Sequence, residues 1–235
     1  MAANSTASLD LYAKVEDLLG VEEAAPRLNA HYLLFLQSVE CSSLLDVGCG
    51  SGDFLVQMKK ALGIAELKGV DLSPLMVERT QSKGIDAECI DLCDLQGKYD
   101  VITAVFDMVN YLDEKTLKRF LWCIAEHLNE GGYFVFDINT LYGFENVAVG
   151  AFIVDDDERF VTIDSDFEED KYELEFTLFE KEGDCFRKSQ ENITQHYHPL
   201  ERFNAHPSLR LMSCDEISLY EMEAADKYFI VMQKK

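Results

Sequence analysis

The sequence predicts an α/β protein with a doubly wound, mostly parallel sheet, helices on both faces and a small antiparallel β insertion. Three observations lead to this fold class. A glycine-rich turn joins an apolar run to a helical pattern near residue 50. From Leu44 to Asp137, short apolar runs alternate with segments of helical period, as in βαβ units. After Asn139 apolar and polar residues alternate, which is typical of strands buried on one face.

The glycine-rich turn follows the apolar run Leu44–Val47, with Gly48, Gly50 and Gly52 at a G-x-G-x-G spacing. Glycine has no Cβ, so the backbone can bend sharply there and approach a ligand closely. A helical pattern follows at once, with apolar residues at Leu55, Met58 and Leu62. The turn therefore precedes a helix N-terminus, where α/β folds bind nucleotides. A dinucleotide fingerprint needs a third glycine where Asp53 stands, which argues against a nicotinamide or flavin domain.

One or two helices are predicted ahead of this first strand. Apolar residues up to about Pro26 have a helical rather than an alternating arrangement, and Leu28–Val39 repeats the pattern. The apolar residues of the first group are Leu9, Leu11, Val15, Leu18 and Leu19.

The later helices of the parallel region have clear start and stop signals. One helix begins at Ser73-Pro74, a cap followed by a proline at the first helical position, and ends at Gly84. Another begins near Asp113 and ends at Gly131-Gly132. The near-continuous apolar run Tyr133–Asp137 comes next and favours a strand covered on both faces. Five strands of a parallel sheet are thereby accounted for.

The insertion is predicted to form three antiparallel strands that lie against the main domain, over the open end of its sheet. Tyr172 to Leu178 alternates between apolar and polar residues, and Val161 to Phe167 partly shares the alternation. Lys181–Asp184 reads as a turn into a third strand at Phe186–Tyr197.

Two closing strands are expected after the insertion, at Ile217–Met222 and Tyr228–Met232. The predicted organisation is therefore a cofactor-binding α/β core with N-terminal helices at 1–140, the β insertion at 141–200, and final strands at 201–235 that complete the core sheet.

The composition excludes several classes of partner. The net charge is −23, from 21 basic and 44 acidic residues, which opposes a polyanion such as nucleic acid. Fourteen acids and three bases lie between Ala151 and Cys185, a surface that is either solvated or attractive to a cationic substrate. No window resembles a membrane span, and Met1–Thr6 lacks the features of a signal peptide. We therefore expect a soluble, cytoplasmic protein.

The cysteines and histidines indicate neither a metal site nor a disulfide framework. The seven cysteines contain no C-x-x-C pair, so reduced and mostly buried thiols are expected. His196 and His198 lie two residues apart, but no carboxylate partner stands at a telling spacing. No metal is predicted.

Four motifs occur in the order found in class I S-adenosylmethionine-dependent methyltransferases of the small-molecule type. They are Asp46–Gly52, Gly69–Pro74, Glu88–Leu92 and Tyr99–Asp107 with the adjoining Met108–Leu112. The chain resembles this family over roughly residues 40–140. The resemblance implies a Rossmann-like sheet of seven strands, S-adenosyl-L-methionine as the cofactor and S-adenosyl-L-homocysteine as the product.

The resemblance also implies roles for cofactor-binding residues. The three glycines of the turn pass beside the amino acid part of the cofactor, and Asp46 helps to hold the turn. Asp71 binds the ribose hydroxyls, its alternative role being that of a helix-capping carboxylate. Asp91 accepts from the adenine amino group, although Asp94 is close enough to take its place. The other residues expected around the cofactor are Leu72, Met76, Leu92 and Phe106.

Asp107 is the leading candidate for a catalytic group, because it follows the fourth strand, where open α/β sheets have their ligand crevices. Its alternative role is hydrogen bonding to nearby backbone amides. Asn110 and Tyr111 are expected in the same crevice, and Tyr12 and Tyr197 are further candidates for contact with the methyl acceptor.

The predicted reaction is methyl transfer by in-line displacement to the amine or hydroxyl of a small molecule. Such a reaction depends mainly on proximity and orientation. Neither nucleic acid nor a membrane is expected as a partner. Two alternatives remain open, namely a protein methyltransferase with a basic partner and a non-catalytic cofactor-binding regulatory protein.

Overall fold

The computed structural model describes residues 6–18, 21–220 and 223–235. Its helices are α1 (Thr6–Ala13), α2 (Val21–Ser38), α3 (Asp53–Leu62), α4 (Pro74–Ser82) and α5 (Glu114–His127). Its strands are β1 (Ser43–Val47), β2 (Glu66–Asp71), β3 (Asp86–Cys89), β4 (Tyr99–Ala104), β5 (Leu128–Asn139), β6 (Gly150–Asp155), β7 (Arg159–Glu168), β8 (Lys171–Glu182), β9 (Cys185–His196), β10 (Leu209–Ile217) and β11 (Lys227–Lys234). None of the helices in these ranges is long and apolar enough to cross a membrane.

Seven strands form the main sheet, in the order β10-β11-β5-β4-β1-β2-β3. Strands β1 to β5 are mutually parallel, and β11 pairs antiparallel with both β5 and β10. This arrangement confirms the predicted fold class. Because parallel strands point the same way, the carboxyl ends of β1, β2, β4 and β5 lie along one edge of the sheet, where the candidate site residues follow them.

Two apolar clusters cover the two faces of the main sheet. One contains Leu117, Phe120 and Ile124 of α5 together with the stacked rings of Phe134 and Phe136. The other packs α2 and α3 onto the sheet, with Leu28, Tyr32, Leu55 and Met58 fully buried. Since both faces are covered, the central strands are buried on both sides, as the apolar runs of the sequence predict.

The second sheet has four antiparallel strands, in the order β6-β7-β8-β9. The predicted turn at 181–184 is confirmed, since Glu182 pairs with Cys185 across it. The prediction of three strands is wrong, because β6 adds a fourth. Its side chains are mostly exposed on both faces, including Phe152 and Ile153, so burial imposes no alternation on this edge strand.

The first closing strand is placed wrongly by the sequence. It was expected at Ile217–Met222, but β10 ends at Ile217 and begins at Leu209. Only those two end residues of β10 are buried, so this edge strand has little apolar signal. Met222, and Leu19 of the predicted N-terminal helices, lie outside the described residues.

Helix α1 packs between the second sheet and α4. Leu11 and Val15 join an apolar cluster with Val161, Ile163 and Phe176 of the second sheet. At the helix end, the Lys14 ammonium pairs with Glu180 of β8 at 2.9 Å, and the Arg159 guanidinium of β7 pairs with Asp17 at 2.7 Å. On the other side, Arg79 of α4 donates to the carbonyl of Ala13 at 2.6 Å. The N-terminal helix is thus attached to both layers.

The expectation that all cysteines are reduced is wrong for one pair. Cys93 and Cys123 form a disulfide between the segment after β3 and helix α5. Their Cα atoms are 5.2 Å apart although they are 30 residues apart in sequence. Packing of two distant elements brings them together, so no spacing pattern in the sequence could have indicated the bond. The other five cysteines are free.

A core substitution in α3 tests the packing of the main sheet. Leu55 is fully buried, so Leu55→Ala should lower the free energy of unfolding by about 2–5 kcal/mol through lost burial and a residual cavity. Leu34→Ala is the matched control, because Leu34 is 66% exposed and its truncation should cost less than about 0.5 kcal/mol. Urea denaturation measures both. Equal losses in the two variants would contradict this packing.

Candidate active site

The glycine turn after β1 is held in a conformation that glycine adopts readily. Gly48, Gly50 and Gly52 have φ angles of 70°, 52° and 79°, all in the left-handed region. The amides of Gly48 and Cys49 donate to the carbonyl of Val70, at 2.8 and 3.1 Å, which ties the turn to the end of β2.

The surroundings of the turn differ between its glycines. A Cβ at Gly48 would collide with the side chain of Met108, and one at Gly52 would come within 2.7 Å of Thr80. A Cβ at Gly50 would meet nothing within 4 Å. Two glycines therefore allow neighbouring segments to approach the turn, and the third leaves open space beside it.

Asp71, at the end of β2, connects the turn to helix α4. Its carboxylate accepts from the amide of Gly50 at 2.9 Å and from the amide of Ser73 at 2.8 Å. Burial raises the pKa of Asp71 above its usual range, while these backbone donors act in the opposite direction. Each oxygen takes one of these bonds and has a further lone pair. The carboxylate can therefore still accept from hydroxyl groups of a ligand.

The residues expected around an adenine lie near the ends of β2 and β3, which are paired strands. Asp91 caps the short helix Leu92–Asp94 by accepting from the amide of Cys93 at 2.8 Å, and its other oxygen pairs with Arg119 at 3.2 Å. Leu92 and Met76 are buried, whereas Leu72 is 54% exposed. Leu72 is the one of these three apolar side chains that is available to a ligand from solvent.

Asp46 lies below the turn, within β1. It is buried and accepts from the hydroxyl of Thr103 in β4 at 2.7 Å. Burial raises the pKa of Asp46 to about 8, and the Thr103 hydrogen bond only partly offsets this effect. The side chain therefore joins β1 to β4 beneath the turn.

The segment after β4 contains two consecutive non-glycine residues in the left-handed region, Phe106 with φ 57° and Asp107 with φ 60°. Such residues are uncommon and cost energy unless the surroundings hold them. The carboxylate of Asp137 does so, since its two oxygens accept from the amides of Phe106 at 2.8 Å and Asp107 at 3.1 Å. The hydroxyl of Tyr32 also donates to Asp137, at 2.7 Å. Asp137 therefore shapes the segment that carries the catalytic candidate.

Two important residues of this region were missed by the sequence interpretation. Asp137 closes an apolar strand, and an acid at that place is a signal that could have been used. Lys227 of β11 is only 2% exposed and forms an ion pair with Asp107. Its ammonium also lies 3.1 Å from Asn139 Oδ1 and 3.4 Å from Asp137 Oδ2. Nothing in the sequence distinguishes this lysine from a solvated one.

The charge of the Asp107 carboxylate acts on four tyrosines. Burial raises the pKa of both Tyr12 and Tyr111, and the charge of Asp107 acts on each in the same direction. Asp107 similarly raises the pKa of Tyr172 and Tyr220, after burial as the larger cause. We call Tyr12, Tyr111, Tyr172 and Tyr220 the tyrosine cluster. It combines α1, the segment after β4, the second sheet and the segment before β11.

The remaining acceptor candidates have other positions. Asn110 is buried and links two elements, since its amide nitrogen donates to the carbonyl of His196 at 2.8 Å and its oxygen accepts from the amide of Asn139 at 3.0 Å. Tyr197 lines a surface cavity of about 340 Å³ together with Asp170 and Arg202. The structure thus places Tyr12 and Tyr111 in one apolar cluster, uses Asn110 as a link, and places Tyr197 at this separate cavity.

Comparison with known proteins identifies the region that contains the glycine turn. Residues 44–132 match a family described as a methyltransferase domain. A curated relative from Streptomyces venezuelae, dTDP-3-amino-3,4,6-trideoxy-alpha-D-glucopyranose N,N-dimethyltransferase, is 32% identical over 133 residues, covering 53% of this chain and 55% of its own length. The chain spans about half the length of the curated relatives it matches.

Solved structures resemble the fold over nearly the whole chain. An S-adenosylmethionine-dependent methyltransferase from Clostridium acetobutylicum has a TM-score of 0.75 at 22% identity, with 96% of each chain covered. The sugar N-methyltransferase KedS8 from a Streptoalloteichus species has a TM-score of 0.72 at 19% identity, with 100% of this chain and 95% of its own covered. At these identities the likeness concerns the fold.

The raised pKa of Asp46 predicts a pH-dependent contribution to stability. Between about pH 4, where the unfolded carboxyl titrates, and about pH 8, the folded state holds a proton that the unfolded state has lost. The contribution of Asp46 is therefore fully present below this range and decreases as the pH rises through it. Asp46→Asn removes the titration. The free energy of unfolding of the wild type should therefore fall relative to that of the variant from pH 5 to pH 8. Urea denaturation at each pH measures it, and a constant difference would contradict the assignment.

Proposed function

We propose that this chain is a class I S-adenosylmethionine-dependent methyltransferase and that it transfers a methyl group to the amine of a small molecule of the amino-sugar type. The observation that carries the proposal is the partly exposed Asp107 carboxylate, which is paired with Lys227, precedes Met108 at the glycine turn and acts through its charge on the tyrosine cluster. The relative from Streptomyces venezuelae supports an amine as acceptor, because its name specifies an amino sugar and N,N-dimethylation.

The glycine turn fits the cofactor of this family. Open space lies beside Gly50, where a backbone with no Cβ allows the amino acid part of S-adenosylmethionine to approach. Asp71 offers further lone pairs for the ribose hydroxyls, and the exposed Leu72 offers an apolar surface for the adenine. Asp91 would accept from the adenine amino group. When bound, the cofactor supplies a methyl group made electrophilic by the positive sulfur.

The acceptor would be held by residues of this chain on the other side of that methyl group. A carboxylate accepts hydrogen bonds from an amine N–H, so Asp107 can orient the nitrogen. Tyrosine ring faces attract positive charge, so the tyrosine cluster favours an amine that becomes cationic as it is methylated. Apolar residues of helix α1 and of the second sheet pack against Tyr12 and Tyr111 of this cluster. A hydroxyl acceptor would gain less from the same negative charge.

A basic protein is the second candidate acceptor, and the acidic segment from Ala151 to Cys185 is the observation that favours it. Long-range attraction of such a partner would not require the tyrosine cluster. The two candidates therefore differ in where a transferred methyl group is found.

Substitution of Asp71 tests cofactor binding. Asp71→Ala removes the ribose acceptor and the bond to Gly50, so the affinity for S-adenosylhomocysteine should fall at least about 10-fold, as for a hydrogen bond to a charged group. Asp53→Ala is the control, because Asp53 is an exposed carboxylate at the same turn and the variant has the same charge change. Its affinity should stay within about twofold. Titration calorimetry measures both, and equal affinities of the two variants would refute the role of Asp71.

A comparison of acceptors tests the reaction. With radiolabelled S-adenosylmethionine, label should enter dTDP-3-amino-3,4,6-trideoxy-α-D-glucopyranose or another amino sugar of a panel, at least about 100-fold faster than the matching hydroxyl sugars. A site built for an amine leaves a polar group unpaired when the amine is absent. A parallel reaction uses cell extract fractionated by size. Label found only in macromolecules would favour the protein acceptor and overturn the small-molecule proposal.

A further inference from the structure

Lys227 is a buried lysine in the middle of the proposed acceptor site. It is the first residue of β11 and lies opposite Asn139, the last residue of β5. Its side chain is 2% exposed. Lysine is almost never buried to this extent unless its charge is paired, because desolvation of an ammonium is costly. The position of Lys227 therefore depends on the groups that surround it.

Two carboxylates and one amide oxygen surround the Lys227 ammonium. It pairs with Asp107 and lies 3.1 Å from Asn139 Oδ1 and 3.4 Å from Asp137 Oδ2. Burial alone lowers the pKa of Lys227, but the two carboxylates outweigh it and the pKa lies above its usual range. The lysine therefore carries its charge. With both carboxylates ionised, one cation and two anions leave this three-residue group with one net negative charge.

The two carboxylates have different surroundings. Asp137 is fully buried and accepts from Tyr32 and from the amides of Phe106 and Asp107, so it has little capacity for a ligand. The side chain of Asp107 is 21% exposed, and its charge acts on the tyrosine cluster. Of the two, Asp107 is the one that an acceptor can reach.

The contact with Lys227 restricts where the Asp107 carboxylate can point. The backbone of Asp107 is already held in the left-handed region by Asp137. Lys227 then ties the side chain to the end of β5 as well, because it contacts Asp137 and Asn139 at the same time. The carboxylate is thereby held at both backbone and side chain, which reduces the entropy cost of orienting an acceptor.

We propose that Lys227 is a positioning residue for the methyl acceptor. It aims the Asp107 carboxylate at the amine nitrogen and leaves one net negative charge facing the positive charge that develops on that nitrogen. The inference rests on the proposed function. Lys227 does not touch the acceptor, and its effect on the reaction passes through Asp107.

A double-mutant cycle tests whether Lys227 acts through Asp107. The variants are Lys227→Met, Asp107→Asn and the double variant, and the net charges of the three-residue group become −2, 0 and −1, against −1 in the wild type. The double variant thus preserves the net charge but lacks the carboxylate. It should fold better than Lys227→Met, since Asp137 is then the one carboxylate left in the group and keeps its bonds from Tyr32, Phe106 and Asp107.

Three quantities are measured: turnover of an amine, affinity for S-adenosylhomocysteine, and melting temperature. The amine is dTDP-3-amino-3,4,6-trideoxy-α-D-glucopyranose or the panel amine that the wild type methylates fastest. Lys227→Met should lower kcat/KM for the amine about 100-fold, the effect of misplacing a reacting group by about 1 Å. Its affinity for S-adenosylhomocysteine should stay within about threefold, because the glycine turn and Asp71 lie on other strands. In the Asp107→Asn background, the same change should alter kcat/KM less than about twofold.

Independent losses that multiply in the double variant would overturn the proposal, as would Lys227→Met retaining kcat/KM within threefold. If Lys227→Met does not fold, the comparison of Asp107→Asn with the double variant decides, since a further loss there would show a role separate from Asp107. A wild type that binds S-adenosylhomocysteine but methylates none of the amines defeats the proposed function and this inference together. An active wild type with an unaffected Lys227 variant defeats this inference alone.

Discussion

The carboxylate of Asp137 is the group on which the arrangement around Asp107 and Lys227 depends. It is fully buried at the end of β5, and four groups from other parts of the chain converge on it. They are the Tyr32 hydroxyl of α2, the amides of Phe106 and Asp107 and, more distantly, the Lys227 ammonium of β11. A buried carboxylate with fewer partners would become neutral or destabilise the fold. Its complete set of donors therefore holds a helix, a strained turn and the last strand in one arrangement.

This constraint explains why two non-glycine residues can occupy the left-handed region after β4. The energy cost of that conformation is offset by the two hydrogen bonds that these amides donate to Asp137. The result places the Phe106 and Asp107 side chains beyond the sheet edge, rather than continuing the alternation of a strand. The amide of Asp107 fixes its own backbone by donating to Asp137, whereas its carboxylate contacts Lys227 and is the group for which we propose a ligand-facing role.

The parts that could be predicted from sequence are those in which the signal is local. Strand β1, the glycine turn, helix α4 and the start of α5 at Asp113 each carry their caps, apolar periods and turn residues within about fifteen positions, and local physics decides them. The predicted end of α5 at Gly131-Gly132 is wrong, because the helix ends at His127 and both glycines lie within β5. Strand β6, the Cys93–Cys123 bond and the Lys227 contacts could not be predicted in this way. An exposed edge strand has no burial period, and a disulfide or a buried ion pair depends on tertiary packing between residues that can be far apart in sequence.

The difference between local signals and tertiary contacts also separates the two halves of the candidate active site. The residues proposed for the cofactor lie between Asp46 and Phe106, inside the segment 44–132 that matches the methyltransferase domain. The tyrosine cluster, Asp137 and Lys227 draw on α1, the end of β5, the second sheet and β11, and most of these residues lie outside that segment. Substitutions in these outer elements can change the proposed acceptor pocket without touching the glycine turn or Asp71. Acceptor preference can therefore diverge between relatives that share the same cofactor site, and it must be argued from Asp107 and its neighbours rather than from the matched domain.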